Sequence, residues 1–151
     1  MSGYFGSFLK KNLTEILFFP FLFLFSIFLM WKTFRLTTEG NIQIASKAWS
    51  DFAATVPLIR SFSYGANFPP EYPIFAGPPI RYHFVFFMIV GLLEKTGVPL
   101  DWALNSMSIL GFFLLPVAIY LVGKSIFKSK VVGVISVILF LFNGSFGFWE
   151  F

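Results

Sequence analysis

The chain has 151 residues, 57% hydrophobic and 12% charged, with 24 phenylalanines and a mean hydropathy of +0.80. A soluble domain carries about 25% charged residues, and a soluble chain this apolar would lack the polar surface to cover its core, so lipid is the expected solvent for the surplus rings. The net charge of +4 comes from cations scattered between apolar runs, which argues against nucleic acid; zero cysteines and one histidine exclude disulfides, thiolate chemistry and a multi-histidine metal site.

The pattern predicts an all-α integral membrane protein forming one membrane domain over residues 1–151. Residues 16–31 carry no charge and, with their flanks, reach the roughly 20 residues of a spanning helix, giving a first span over about 13–33. Lys10 and Lys11 precede it and place the N-terminus in the cytoplasm, while Lys32 and Arg35 follow and can snorkel to the far interface. A cleaved signal peptide shares this pattern, but no small-residue cleavage site follows closely, so a retained anchor is expected.

Residues 34–101 read as one extracytoplasmic loop. It contains the proline-rich run Asn67-Phe68-Pro69-Pro70-Glu71-Tyr72-Pro73 and then Gly77-Pro78-Pro79, which break helices and fix turns. Residues 51–64 predict an amphipathic interfacial helix capped by Ser50 or Asp51. The apolar run over residues 82–93 is about a dozen residues long and fits an interfacial or re-entrant helix over about 82–95 better than a span. Residues 102–123 and 131–149 are uncharged and long enough to cross. Were residues 82–93 also to cross, Lys124, Lys128 and Lys130 would lie outside, against the positive-inside rule; three spans keep them in the cytoplasm.

Asp51 can act as a general base or ligate a divalent cation beside a phosphate; its ordinary reading is a helix cap. Arg60, Arg81, Tyr82 and His83 can meet a lipid phosphate, or simply contact headgroups. Glu71 and Glu150 are candidates for a second carboxylate, with a solvated loop and a boundary position as their ordinary readings. Asn12-Leu13-Thr14 and Asn143-Gly144-Ser145 match the glycosylation acceptor pattern, but the first is expected in the cytoplasm and the second abuts the membrane, and Gly111 and Gly123 are too isolated to form a packing motif.

From Asp51 onward the order of features resembles the N-terminal region of polytopic GT-C glycosyltransferases, the polyprenyl-phosphate-sugar-dependent class that includes protein mannosyltransferases and aminoarabinose transferases, and especially a bacterial and archaeal subgroup of large, mostly uncharacterised members. The matching pieces are Trp49-Ser50-Asp51, the stretch Leu58-Ile59-Arg60-Ser61-Phe62 to Gly65, Asn67-Phe68-Pro69-Pro70, then Gly77 leading to Arg81-Tyr82-His83-Phe84 and the two later spans around their basic turn. The resemblance covers residues 12–151 and rests on order and spacing.

It implies a prokaryotic cell-envelope transferase moving a sugar from a polyprenyl-phosphate donor to an acceptor at the extracytoplasmic face. Asp51 would be catalytic, Arg60, Arg81, Tyr82 and His83 would bind donor phosphate or acceptor, and a divalent cation (Mg or Mn) would sit at Asp51 if one is used. Two departures weigh against a complete site. Many relatives have a second acidic residue or a nearby histidine where this chain has Phe52 and Thr55, and relatives have further spans and a further outer carboxylate, against Glu150 here. The expectation is therefore a fragment, or one part of a split or longer enzyme. The rival readings are a non-catalytic membrane subunit or scaffold and, third, a transporter fragment.

Overall fold

The computed structural model describes residues 2–81 and 83–142, with the backbone alone for residues 2–11 and 76. The described chain is mostly helical. In order it forms α1 (Ser2–Thr33), β1 (Phe34–Leu36), β2 (Ile42–Ile44), α2 (Trp49–Ser63), β3 (Glu71–Tyr72), β4 (Phe75–Pro79), α3 (Val85–Lys95), α4 (Leu100–Phe127) and α5 (Lys130–Leu141).

Among the described residues, two helices are long and apolar enough to cross a membrane: Asn12–Thr33 within α1, with a mean hydropathy of 2.2, and α4, at 2.0. Only 11% and 17% of these stretches is buried inside protein, unlike the core helix of a soluble fold. Leu17 and Phe21, at 63% and 60% exposure, need an apolar solvent from outside the protein. α3 has 11 residues, a length of about 16 Å at 1.5 Å per residue. A hydrocarbon core is about 30 Å thick, so α3 is too short to cross. α5 ends at Leu141, with Phe142 in the C-cap position, and so covers only the first part of the expected span over 131–149; residues 143–149 lie outside the described residues.

The chain divides into two compact units. The first comprises Met1–Ser26 and Leu110–Phe151. Its core is Leu22, Tyr120 and Val137, with Phe18, Phe19 and Val117 packed around them. The buried Tyr120 ring meets Phe19 edge-on, at 5.3 Å between centroids. Gly123 and Gly133 lie where α4 and α5 meet. A Cβ on Gly133 would stand 2.8 Å from the Tyr120 ring, and one on Gly123 would stand 2.8 Å from the Ser136 hydroxyl. Gly123 is thus part of a small-residue contact after all, of the kind that lets membrane helices approach closely. Its partner lies on the next helix, where no spacing rule within one helix finds it. The Ser26 and Ser136 hydroxyls donate to carbonyls four residues back, leaving no bare donor on an apolar helix.

The second unit is Ile27–Ile109. Its core gathers Phe34, Ile59, Val90, Leu100, Ala103 and Leu104. The β1–β2 hairpin departs from the all-α expectation. Gly40 takes φ +83 in its turn, where a side chain would be strained. Two groups from α4 hold its first strand: Asp101 Oδ2 accepts the Leu36 N–H at 3.1 Å, and Asn105 Nδ2 donates to the Phe34 carbonyl at 2.8 Å. A second antiparallel hairpin, β3–β4, pairs Glu71 with Pro79.

The expected cap of α2 is corrected. The helix begins at Trp49 with Ala48 in the cap position, and no side chain closes it. A turn bonding the Ala48 N–H to the Ala45 carbonyl delivers the chain into the helix before Ser50 is reached. Asp51 sits in the first turn, where a carboxylate favours the positive end of the helix dipole without capping it.

α2 and α3 cross at Gly91. A Cβ there would fall 2.6 Å from the Ile59 carbonyl oxygen and 2.8 Å from Phe62 Cβ. Gly91→Ala is expected to cost about 1–3 kcal/mol through overpacking. The readout is a lowered thermal midpoint in detergent; an unchanged midpoint would mean that the two helices do not meet this closely.

Candidate functional site

Asp51 projects from the first turn of α2 and is exposed. Among the described residues its carboxylate makes no hydrogen bond or ion pair; the nearby Thr55 hydroxyl donates instead to the Asp51 backbone carbonyl at 2.7 Å. The residue borders a cleft of about 200 Å³ built from the end of α1, β1, α2, α3 and α4. Its polar groups are Asp51, Thr33, Thr55, Asn105 and Ser108, set among the rings of Phe34, Phe52, Phe86 and Phe87. Phe34 and Phe52 stack nearly parallel, 4.9 Å apart.

The Thr33 hydroxyl donates to the Leu29 carbonyl and Asn105 to the Phe34 carbonyl, so these donors are already engaged in holding the cleft wall. What remains is a carboxylate with open acceptor capacity beside aromatic walls. The cleft is smaller than the roughly 300–1,000 Å³ of a drug-sized ligand site, so it has room for one end of a substrate.

Among the described residues, none of the other expected site residues lines this cleft. Arg60 Nε lies 3.5 Å from Glu94 Oε1, and its guanidinium lies over the Tyr64 ring. The Glu94 side chain is only 5% exposed and also accepts the Ser63 hydroxyl at 2.7 Å, so Arg60 helps tie α2 to α3. Glu71 accepts the Gly77 N–H through Oε2, and its own N–H donates to Asn67 Oδ1. It therefore organises the β3–β4 turn. Arg81 and His83 are exposed, and the His83 ring stacks on Phe87, itself a cleft residue. Tyr82 and Glu150 lie outside the described residues, as does Asn143-Gly144-Ser145.

Among the described residues no three His, Asp or Glu side chains converge as metal ligands. A lone carboxylate does suit a Mg²⁺ ion shared with substrate phosphates, since that ion takes one or two carboxylates and keeps its other positions for phosphate and water. Lys32, Arg35 and Gln43 border a separate, more polar cleft of about 520 Å³, in which Arg35 Nε donates to Gln43 Oε1 at 2.7 Å.

Sequence reasoning passed over four groups. Glu94, Asp101 and Asn105 are buried and hold the second unit together. Glu15, in the first unit, accepts hydrogen bonds from Tyr120, Lys124 and Lys130. The available signal was the cost of a carboxylate at the edge of an apolar span, which calls for a partner. No protein-family model, no curated protein and no solved structure matches the chain.

Proposed function

We propose that the chain is the N-terminal region of a GT-C-type membrane glycosyltransferase, transferring a sugar from a polyprenyl-phosphate donor to an acceptor at the extracytoplasmic face. The observation that carries this reading is the open Asp51 carboxylate at the edge of a cleft walled by aromatic rings. In this role Asp51 deprotonates the acceptor hydroxyl as the sugar leaves its phosphate. Arg81 and His83 stabilise the growing phosphate charge, and Arg60 acts as a positioning residue through Glu94. The order of features from residue 49 onward supports the family, and the two long apolar helices support membrane insertion.

The finer topology belongs to the same proposal: three spans, with α5 opening the third, the N-terminus in the cytoplasm, and residues 34–101 outside. The packing of Phe18 and Leu22 against Tyr120 supports a retained first anchor.

The test is donor binding. The full chain in detergent is expected to bind a short-chain polyprenyl-phosphate sugar saturably, and Ser108→Phe, which fills the cleft beside Asn105, is expected to weaken binding at least tenfold. Circular dichroism and the thermal midpoint check that the variant remains folded. Absence of binding by the native chain, or equal binding by a folded Ser108→Phe variant, would move the non-catalytic subunit reading ahead.

A further inference from the structure

We propose that the turn joining α4 to α5 is a binding site for the phosphate headgroup of an anionic phospholipid. Leu121, Lys124, Ser125, Lys128 and Lys130 line a cleft of about 580 Å³ there. All of these residues, and Glu15 beside them, belong to the first compact unit.

The cations are positioned rather than merely clustered. Glu15 Oε1 accepts from Lys124 Nζ and from the Tyr120 hydroxyl, each at 2.8 Å, and Oε2 accepts from Lys130 Nζ at 2.6 Å. The Glu15 side chain is 15% exposed, so the pairing sits in a medium that strengthens it. Two flexible lysines are thereby fixed before any ligand arrives, which reduces the side-chain entropy lost on binding. One carboxylate does not neutralise this turn. Lys124 and Lys130 share the one Glu15 carboxylate, and Lys128 adds a further positive charge to the cleft. Lys128 is exposed and lies outside the Glu15 network.

A lipid fits better than a soluble anion because of what flanks the lysines. Val122, Ile126, Phe127 and Val131 are each more than half exposed. A phospholipid covers both surfaces, with its phosphate on the ammonium groups and its acyl chains along the apolar side chains. Basic pockets at the ends of membrane helices bind anionic headgroups in this way. Ordinary snorkelling would instead leave the lysines in contact with any headgroup, with no preference and no retained lipid.

The experiment is native mass spectrometry of the full chain, purified in detergent and titrated with phosphatidylglycerol or phosphatidylcholine. One phosphatidylglycerol is expected to be retained in preference to phosphatidylcholine. Lys128→Gln, at an exposed position, is expected to fold normally and to reduce that preference about fivefold, the factor for one lysine–lipid contact. An excess of inorganic phosphate is expected to leave the bound lipid in place. Equal retention of both lipids, or an unchanged preference in Lys128→Gln, would overturn the site. Displacement by inorganic phosphate would overturn its assignment to a lipid.

Discussion

Asp51→Asn is expected, on the proposed glycosyltransferase reading, to lower sugar transfer by about 10²–10⁴-fold, the usual contribution of a positioned general base. Asparagine keeps the shape of the side chain and removes its ability to take a proton. The substitution is also expected to leave stability nearly unchanged. The carboxylate has no hydrogen-bonding or ionic partner among the described residues, and surface changes of this kind shift stability by about 0.5 kcal/mol or less. Donor binding should persist, so the loss should appear in kcat rather than in KM. A variant with native turnover would remove Asp51 from the chemistry. A variant that lost folding and turnover together would show that the residue is structural.

Phe34→Ala is expected to produce the largest loss of stability, about 3–5 kcal/mol, the range for truncating a buried aromatic residue. Phe34 is 1% exposed, stacks on Phe52, and lies in the core formed with Ile59, Val90 and Leu100. Its carbonyl is held by Asn105, so the backbone cannot easily follow the lost ring into the space it leaves. Phe34→Leu keeps much of the volume and loses mainly the ring pairing, about 0.5–1.5 kcal/mol. Thermal unfolding in detergent should therefore order the proteins as native, Leu, then Ala. Equal midpoints for Ala and native would mean that the β1–β2 hairpin is not seated on α2 and α4. Because Phe34 also walls the Asp51 cleft, the Ala variant should bind donor more weakly even below its melting temperature.

The hairpins show why part of this fold was not legible in the chain. β1 and β2 are three residues each, and their stretch reads as an ordinary polar loop. What holds β1 in place is Asp101 and Asn105, on a helix about 70 residues further along. Asp51 illustrates the converse. Its residue type and place in the order of features singled it out, but whether it capped α2 depended on where the helix began, and a turn ending at Ala48 settled that. For Arg60 the fold supplies a tie to Glu94, a partner that spacing alone did not reveal.

What the sequence determined by itself was the apolar framework: two long, predominantly apolar helices, two short helices near residues 51–64 and 82–95, and a proline-rich break between them. These follow from sums over neighbouring residues, of transfer free energy along a run and of backbone restriction at proline, and such sums need no coordinates. Only the tertiary structure decided the Glu15 cluster with Tyr120, Lys124 and Lys130, the Glu94–Ser63 bond, the contact of Gly123 with α5, and the walls of the Asp51 cleft. Hydrogen bonds and ion pairs act over a few ångströms between groups that stand about 30 to 115 positions apart in the chain, so their energy depends on where the fold places both partners.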